Sequence, residues 1–229
     1  MIAIILAGGR GKRLKPVTNY VPKSLIPLEN IPILEWQIRY LKKFRINTII
    51  ICTGYKTDQI EDYLKIKNNF GIKIIFSKEK SPLGTGGAIK MASKYFREKS
   101  FFVLNGDVIT NIDITKLLKK ENSIAAIPLK TKYGILEIKN EKISQFKEKK
   151  EVPDQWMNAG IYHLTKSIVK DLPKIGDVEK TTFPNYAKRG KLNIYKFKNI
   201  IWHSIDSYKD MEECSAELKF KKFIKFVAK

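Results

Sequence analysis

Short apolar runs alternate with amphipathic segments along the first half of the chain. The apolar runs, which predict strands buried on both faces, lie at residues 2–6, 48–53, 72–76 and 101–104. Apolar residues recur at helical spacing in the segments between them, at residues 33–44, 59–67 and 85–97. Strands that alternate with helices of this length imply right-handed crossovers and a parallel sheet. Ligands of such a doubly wound sheet bind at the carboxyl ends of its strands.

The pattern changes after residue 110. Runs that predict strands now follow with few helices between them, at residues 124–129, 134–138, 142–146, 157–164, 192–197 and 200–205. Helices are predicted at residues 114–120, 168–172, 178–188 and 207–226. This half favours a mixed or antiparallel arrangement. Neither a linker nor an internal repeat separates the two halves, so we expect one α/β domain over residues 1–229, built on a Rossmann-like, doubly wound, mainly parallel (mixed) sheet.

Composition and charge limit the classes of partner. Of the 229 residues 43% are hydrophobic, which is enough to fill a core and excludes intrinsic disorder. The net charge of +21 indicates anionic partners, among them phosphorylated metabolites and nucleic acids. The chain carries neither the aromatic stacking motif of RNA-binding sheets nor a recognisable helix-turn-helix. A basic nucleic-acid-binding module is therefore a distant alternative, and we expect no nucleic-acid partner.

The cysteines and the apolar profile bear on the compartment. Cys52 and Cys214 lie far apart without a partner motif, which favours neither a disulfide framework nor a zinc site. The apolar start at residues 1–7 has no charged segment before it and runs directly into a glycine-rich loop, unlike a signal peptide. No stretch reaches the roughly 18 apolar residues that a membrane span needs. We therefore expect a cytoplasmic protein with no membrane span.

A glycine-rich, basic loop follows the first predicted strand, at residues 6–16. Its glycines allow backbone N–H groups to approach a phosphate closely, and Arg10, Lys12 and Arg13 supply positive charge. A Walker A motif would require glycine at position 6 and a hydroxyl residue at position 13, and a dinucleotide fingerprint would require glycine or alanine at position 14. The chain has none of these. The loop predicts a phosphate site of another kind, with an ordinary glycine-rich turn as the alternative.

Seven short motifs, spread over nearly the whole chain, together resemble one enzyme family. They are Leu6-Ala7-Gly8-Gly9-Arg10-Gly11-Lys12-Arg13-Leu14-Lys15-Pro16, Pro22-Lys23-Ser24-Leu25-Ile26-Pro27-Leu28, Pro82-Leu83-Gly84-Thr85-Gly86-Gly87-Ala88, Asn105-Gly106-Asp107, Tyr133-Gly134, Glu148-Lys149 and Asn158-Ala159-Gly160-Ile161-Tyr162. In this order and spacing they resemble the sugar-1-phosphate nucleotidylyltransferases. The resemblance implies a nucleotide-diphospho-sugar transferase type of fold and a Mg²⁺-dependent reaction. In that reaction a nucleoside triphosphate and a sugar 1-phosphate give an NDP-sugar and pyrophosphate.

The resemblance also implies roles for individual residues. As catalytic residues it implies Arg13 at the leaving pyrophosphate, Lys23 between the α-phosphate and the incoming phosphate, and Asp107 at the metal ion. The residues implied to bind the nucleotide are Leu6, Ala7, Gly8, Gly9, Gly11, Glu79, Pro82, Gly84 and Thr85. The residues implied to bind the sugar phosphate are Gly134, Glu148, Lys149, Asn158 and Gly160. Residues 1–110 would thus be the nucleotide-binding half, and residues 111–229 the sugar-phosphate-binding half with the C-terminal helix.

The second metal ligand departs from the family pattern. The family usually has an aspartate two residues after a tryptophan, but here Trp202 is followed at that place by Ser204, and the carboxylate of Asp206 stands two residues further on. Side chains alternate along an extended strand, so Ser204 and Asp206 would face the same side, and Asp206 could share an ion with Asp107. We expect a Mg²⁺ site of Asp107 and Asp206. The alternative is that Asp206 caps the helix that begins near Ser207.

The choice of base and acceptor depends on weaker signals. Glu79 favours GTP, because a carboxylate only accepts hydrogen bonds and guanine offers two adjacent donors where uracil and thymine offer one; an exposed glutamate in a charged loop is the alternative. Gly86 and Gly87 have no side chains, so they would leave room beside a helix for the base of the nucleotide. Lys150 stands where the family often has proline.

The segment after Trp202 resembles a segment of some cytidylyltransferases that act on phosphorylated alcohols. Transfer to inositol phosphate or to a phosphocholine-like acceptor therefore remains the alternative function. A homo-oligomer is an open expectation.

Overall fold

The structure, a computed structural model, describes residues 1–131, 133–148 and 151–219, without the side chains of Pro153 and Lys219. The strands are β1 (Ile2–Leu6), β2 (Pro27–Leu28), β3 (Ile31–Pro32), β4 (Thr48–Thr53), β5 (Lys73–Lys78), β6 (Ser100–Asn105), β7 (Val108–Thr110), β8 (Ser123–Lys130), β9 (Ile135–Lys139), β10 (Lys142–Lys147), β11 (Glu151–Thr165), β12 (Asn193–Lys196) and β13 (Trp202–Ser204). The α-helices are α1 (Ile33–Lys43), α2 (Thr57–Ile66), α3 (Gly84–Ala92), α4 (Thr182–Lys188) and α5 (Tyr208–Lys219). Lys149 and the last part of the predicted closing helix lie outside the described residues.

Seven strands form one sheet in the order β12-β8-β11-β6-β1-β4-β5. β1 is parallel to its neighbours β4 and β6, β5 is parallel to β4, and β12 is parallel to β8. β11 is antiparallel to both β6 and β8, so it alone among the described strands of this sheet runs against the others. The mainly parallel, mixed sheet expected from the sequence is confirmed. Both halves of the chain contribute strands to it.

The central strands are apolar on both faces because helices cover both faces. On one side Ala3 and Ile5 of β1 belong to the same buried cluster as Ile38 of α1. On the other side Ile4 packs against Ile89 of α3. All of these side chains are fully buried, and burial of one isoleucine stabilises the fold by roughly 1.5–3 kcal/mol. β1 is therefore fixed from both sides, and the loop that follows it starts from a fixed point.

A second, small ladder brings two distant parts of the chain together. β7 pairs antiparallel with β13, with Val108 opposite Ser204. The pairing continues one step beyond the strands, where the Ile205 N–H donates to the Asp107 carbonyl over 2.9 Å. The three-residue strand β7 was not predicted, because its apolar run is too short to stand out from the preceding turn. Its consequence is that Asp107 and Asp206 lie close together.

Several predicted helices are shorter or tighter than expected. Residues Ile114–Lys119 and Lys166–Asp171 form 3₁₀ turns, and α4 begins at Thr182 rather than at residue 178. α5 begins one residue after Ser207, whose hydroxyl accepts from the Asp210 N–H over 3.3 Å and so caps the helix. Among the described helices, none is long and apolar enough to cross a membrane.

Candidate active site

A cavity of about 260 Å³ lies at the carboxyl ends of β1 and β6, where a parallel sheet places its ligand. The residues that line it are Leu6, Ala7, Gly9, Gly11, Lys12, Arg13, Leu14, Lys23, Ser24, Gly106, Asp107 and Asp206. The structure thus brings the glycine-rich loop together with the three residues predicted to be catalytic and with Asp206. A larger cavity of about 750 Å³ adjoins it, since Arg13 and Asp206 line both.

Glycine is required where the loop folds back on itself. Gly11 has a φ of +59°, and a Cβ there would lie 2.9 Å from Thr18 and 3.1 Å from Lys23. The Thr18 hydroxyl donates to the Gly11 carbonyl over 3.1 Å, which ties the loop to the following turn. Around Gly9 nothing stands within 4 Å of the position a Cβ would take, so the backbone there is open to the cavity.

Lys23 stands between the two aspartates. Its Nζ lies 2.7 Å from Oδ2 of Asp107 and 2.9 Å from Oδ1 of Asp206. The Lys23 side chain is only 14% exposed, so these charge-assisted hydrogen bonds are largely shielded from water. Arg13 donates to the same Oδ1 of Asp206 over 2.8 Å, but its own side chain is mostly exposed. Two carboxylates and two cations are thus assembled from four separate parts of the chain.

Asp206 serves this cluster and does not cap α5. Burial opposes ionisation of Asp206, but the hydrogen bond and charge of Lys23, with the charge of Arg13, outweigh burial and hold the pKa of its carboxyl below the usual range. Ser204 donates to its Oδ2 over 3.2 Å, so the two side chains do face the same side. The Asp206 N–H is bound by the carboxylate of Asp210. The alternative that Asp206 caps the helix is therefore wrong.

The aspartate pair fits a hard divalent cation. Asp107 and Asp206 already share one cation, the Lys23 ammonium, so their oxygens converge on a common point. Within the described residues no group of three or more histidine, cysteine, aspartate or glutamate side chains could hold a metal ion. An ion here would therefore complete its shell with water and phosphate oxygens, which is how Mg²⁺ is usually held.

Gln37 positions Asp107, and sequence reasoning missed it. This side chain is 2% exposed, and its Nε2 donates to the carbonyls of Asn105 and Val108 over 2.8 and 3.0 Å. Those carbonyls bracket the turn that carries Asp107. The turn also needs glycine, because a Cβ on Gly106 would lie 2.3 Å from the Leu6 carbonyl oxygen. Gln37 is one polar residue on the buried face of α1, and that was the only signal in the sequence.

Glu79 lies beside the glycine-rich loop. Its Oε1 would be 3.3 Å from a Cβ on Gly8, and its Oε2 accepts from the Leu83 N–H over 3.0 Å. Burial raises the pKa of the Glu79 carboxyl, and the hydrogen bond from Leu83 partly opposes that. The carboxylate is thus fixed near the loop rather than free in solvent, so the alternative of an exposed surface glutamate is wrong.

The glycines that begin α3 are explained by packing. A Cβ on Gly84 would lie 2.6 Å from the backbone of Gly176, and one on Gly87 would lie 2.5 Å from the Lys174 carbonyl oxygen. Gly86 is crowded in the same way. The space beside the slim helix is therefore filled by the chain at 173–176, not left for a base as expected. Contacts of Pro82, Gly84 and Thr85 with the nucleotide stay predictions.

A chain of polar side chains, partly buried, connects the start of α3 with the strand β11. The Thr85 hydroxyl donates to Glu179 over 2.6 Å, and the Tyr162 hydroxyl donates to the same carboxylate over 3.0 Å. Asn158 donates to the Tyr162 oxygen over 2.8 Å. Tyr162 is fully buried, so it is a core residue and does not stack on a sugar. Glu179 was missed, because nothing in its predicted helical segment distinguished it.

The residues predicted to bind the sugar phosphate lie further apart than the cluster around Lys23. Gly134 and Glu148 meet at the base of the β9–β10 hairpin, where a Cβ on Gly134 would lie 3.2 Å from Oε2 of Glu148. Asn158 accepts from the Gly160 N–H over 2.8 Å, so its side chain is engaged on its own strand. Gly160 contacts Asn105, next to the catalytic turn. Lys149 lies outside the described residues.

Comparison with known proteins places these features in a family. The chain matches the family described as Nucleotidyl transferase over residues 2–220. It is 41% identical over 196 residues to D-glycero-alpha-D-manno-heptose 1-phosphate guanylyltransferase of Campylobacter jejuni, covering 82% of this chain and 87% of that protein. The protein of the same name from Aneurinibacillus thermoaerophilus is 38% identical over 176 residues, 73% of this chain and 76% of its own. HddC of Yersinia pseudotuberculosis, solved as a complex with GMP-PN, matches with a TM-score of 0.74 at 29% identity, over 95% of this chain and 99% of that chain.

Proposed function

The chain belongs to the nucleotidyl transferase family, and we propose that it transfers a guanylyl group from GTP to a sugar 1-phosphate. The products are a GDP-sugar and pyrophosphate. The observation that carries this proposal is the cluster of Lys23, Asp107, Asp206 and Arg13 beside the glycine-rich loop at the strand ends. The two relatives from Campylobacter and Aneurinibacillus are named for heptose 1-phosphate, so an acceptor of that class is the one to test first.

The reaction needs positioning and charge rather than a protein nucleophile. A phosphate oxygen of the sugar 1-phosphate attacks the α-phosphorus of the nucleotide; the new P–O bond forms as the bond to the β-phosphate oxygen breaks, and pyrophosphate leaves with the electron pair. Both reactants are polyanions, so their approach is unfavourable without cations. Lys23, almost buried, would bridge the α-phosphate and the attacking phosphate. Arg13, exposed at the rim, would hold the leaving pyrophosphate. In the sugar half, Gly134, Glu148, Lys149, Asn158 and Gly160 are proposed to orient the acceptor.

Members of this family generally use a divalent metal, and we propose that this chain uses Mg²⁺. Asp107 and Asp206 would hold the ion, because their carboxylates converge and the remaining ligands can come from phosphate and water. When bound, the ion would neutralise charge on the phosphates. The ion would compete with the Lys23 ammonium group for the place between the two carboxylates.

The proposed base specificity depends on Glu79. Its carboxylate is fixed by Leu83 beside Gly8 and retains free lone pairs to accept from guanine N1–H and N2–H₂. Proteins that hydrogen-bond a base in this way reject one that lacks a matching donor, because the polar group is left unpaired. The solved relative in complex with GMP-PN is compatible with this proposal.

A matrix of nucleoside triphosphates against phosphorylated acceptors tests the function, read by pyrophosphate release. We expect GTP with a heptose or mannose 1-phosphate to be the best pair. A clear preference for CTP with inositol phosphate or phosphocholine would instead establish the alternative function. A preference for dTTP or UTP with a sugar 1-phosphate would keep the reaction and reject the role of Glu79. The variant Glu79→Gln should lose much of the preference for GTP over UTP.

A further inference from the structure

The hydrogen bonds between α3 and β11 all run in one direction, and Glu179 sets that direction. Four residues form this connection, which we call the polar chain: Thr85, Glu179, Tyr162 and Asn158. Thr85 donates to Oε2 of Glu179 over 2.6 Å, and Tyr162 donates to Oε1 over 3.0 Å. A carboxylate has only acceptor oxygens, so both hydroxyl groups direct their hydrogens at Glu179.

Tyr162 passes the direction on to the next residue. Its single hydroxyl hydrogen goes to Glu179, so its oxygen accepts, and the donor is Nδ2 of Asn158 at 2.8 Å. Burial, and then the charge of Glu179, raise the pKa of the Tyr162 hydroxyl, so it keeps its hydrogen at neutral pH. The tyrosine ring is fully buried and packs edge-on against Phe183, with ring centroids 5.0 Å apart. The position of the hydroxyl is therefore fixed by the core.

The amide of Asn158 is held at both of its ends. Its nitrogen faces the Tyr162 oxygen, and its oxygen accepts from the Gly160 N–H over 2.8 Å. An amide turned the other way would set its nitrogen against the Gly160 N–H and its oxygen against a tyrosine oxygen without a hydrogen to give. Asn158 is an exposed residue, and in the described part of the chain its nitrogen makes this one hydrogen bond. Its second N–H is therefore presented outward in one fixed direction.

The polar chain ends beside the catalytic turn. A Cβ on Gly160 would lie 2.7 Å from Asn105, the first residue of the turn that carries Asp107. The charge of Asp107 also contributes to the raised pKa of Tyr162, so the carboxylate acts over the distance between them. At the other end, Thr85 stands in the first turn of α3 and is proposed to bind the nucleotide. The polar chain thus extends from the nucleotide side of the site to its acceptor side.

We propose that Glu179 is a positioning residue for the acceptor: through Tyr162 it orients Asn158, whose outward N–H donates to a hydroxyl oxygen of the sugar 1-phosphate. This inference rests on the proposed function, since the molecule to be oriented is the acceptor of that reaction. It also names the chemistry of the acceptor, which must carry a hydroxyl group where the Asn158 amide points. A deoxy analogue would offer no oxygen to that N–H.

Two substitutions of Glu179 separate hydrogen-bond direction from charge. Glu179→Met keeps the length of the side chain but offers the Tyr162 hydroxyl no oxygen, so that hydroxyl must donate to the Asn158 amide or stay unpaired. Glu179→Gln still offers one amide oxygen to Tyr162. Its nitrogen can face the Thr85 oxygen, which accepts from the Val178 N–H over 2.9 Å and has a second lone pair. The glutamine variant therefore loses the charge and keeps the direction.

Steady-state kinetics at saturating GTP measure the consequence. Glu179→Met should raise the KM for the sugar phosphate roughly tenfold, because a hydrogen-bonded group loses its partner. Its kcat should stay within about twofold of the wild type, because Lys23 and Asp107 keep their contacts. Glu179→Gln should keep the KM within about threefold. Tyr162→Phe should act like Glu179→Met, and the double variant should be no worse than either single one, because both break the same chain.

Asp177→Asn is the matched control. Asp177 lies two residues before Glu179, pairs with Lys180 and accepts from the Thr85 N–H over 3.4 Å, but it is not part of the polar chain. Its substitution should leave the KM for the sugar phosphate unchanged. Thermal melting of every variant separates loss of folding from loss of binding. If Glu179→Met melts below the assay temperature, Tyr162→Phe tests the same KM by itself.

The orientation of the Asn158 amide can also be followed without substrate. In ¹⁵N NMR spectra its side-chain signal is the one missing from Asn158→Asp. This signal should shift in Glu179→Met and Tyr162→Phe and keep its position in Glu179→Gln and Asp177→Asn.

Three results would overturn the proposal. They are an unchanged acceptor KM in folded Glu179→Met or Tyr162→Phe, additive effects in the double variant, and a Glu179→Gln variant as impaired as Glu179→Met, which would assign the carboxylate a direct role through its charge. A wild type that releases no pyrophosphate with any sugar 1-phosphate rejects the proposed function and with it the acceptor role. The NMR signal still reports the hydrogen-bond direction in that case, so the two failures are distinguishable.

Discussion

The two sides of the active site are held in different ways. On the strand side, Asp107 follows the buried strand β6, and Lys23 is almost buried. Gln37 donates hydrogen bonds to the backbone on either side of the turn that carries Asp107. On the hairpin side, Gly134 and Glu148 sit at the base of two strands whose side chains are mostly exposed. The residues of the strand side are therefore held in place by the core of the sheet. The hairpin side can shift with little cost to the core.

This difference separates two tasks. Charge must be placed accurately where bonds break, because a preorganised group stabilises a transition state only if it does not have to move. Acceptor binding tolerates a movable element and can even use one to admit a sugar. Variants on the strand side should therefore lower kcat, and variants on the hairpin side should mainly raise the KM for the acceptor.

Asp107→Asn should have the largest effect. Loss of one carboxylate from the strand side should lower kcat by on the order of 10² or more, by analogy with loss of one preorganised electrostatic group. Glu148→Gln, on the hairpin side, should raise the KM of the sugar phosphate with a much smaller change in kcat. Steady-state kinetics of both folded variants measure the contrast. Near-normal turnover in Asp107→Asn would show that Asp107 is not catalytic. If Asp107→Asn and Glu148→Gln lowered kcat equally, the proposed difference between the two sides would be wrong.

Gln37→Met should have the second-largest effect, a roughly tenfold loss of kcat. The substitution keeps the size of the side chain but removes both hydrogen bonds to the Asp107 turn, which leaves two carbonyls unpaired. Outer groups that orient metal ligands typically contribute 10–100-fold to metal affinity or activity. The concentration of Mg²⁺ at half-maximal rate should rise together with the loss of kcat. A variant that melts lower but keeps its kcat and Mg²⁺ requirement would show that Gln37 acts only on stability.

The sequence predicted the strand side better than the hairpin side, for a local reason. β1, β4 and β6 are continuous apolar runs, and the loops after them carry their glycines and charged residues within a few positions. The parallel direction of these strands follows from the alternation of strand and helix, whereas their order in the sheet was not predicted. Gln37 and Glu179 could not be predicted, because their partners are distant in sequence. Gln37 contacts Asn105, 68 residues away, and Glu179 contacts Thr85, 94 residues away. The exposed hairpin was predicted as two strands, but its apolar face was not.

Lys23→Gln should tighten metal binding about fivefold in the nucleotide-free protein. Lys23 neutralises two carboxylates that a divalent cation would share, so the two cations compete for one place. Mn²⁺ binding followed by electron paramagnetic resonance measures this without turnover, which the variant should lack. Lys12→Gln removes a charge from the same cavity without contacting either aspartate and is the control. Unchanged Mn²⁺ affinity in Lys23→Gln would show that the lysine does not occupy the metal position.

Ser207→Ala should have the smallest effect and separates capping from metal binding next to the strand side. Ser207 accepts from the Asp210 N–H at the start of α5, so its loss should lower the free energy of unfolding by about 1 kcal/mol. The Mg²⁺ requirement should not change, because the carboxylate of Asp206 points to Lys23 and Arg13 instead. Asp206→Asn should do the reverse: the Mg²⁺ concentration at half-maximal rate rises, while the helix keeps its cap. Thermal melting and Mg²⁺ titration of both variants give four values, and if Asp206→Asn left the titration unchanged, Asp206 would not be a metal ligand.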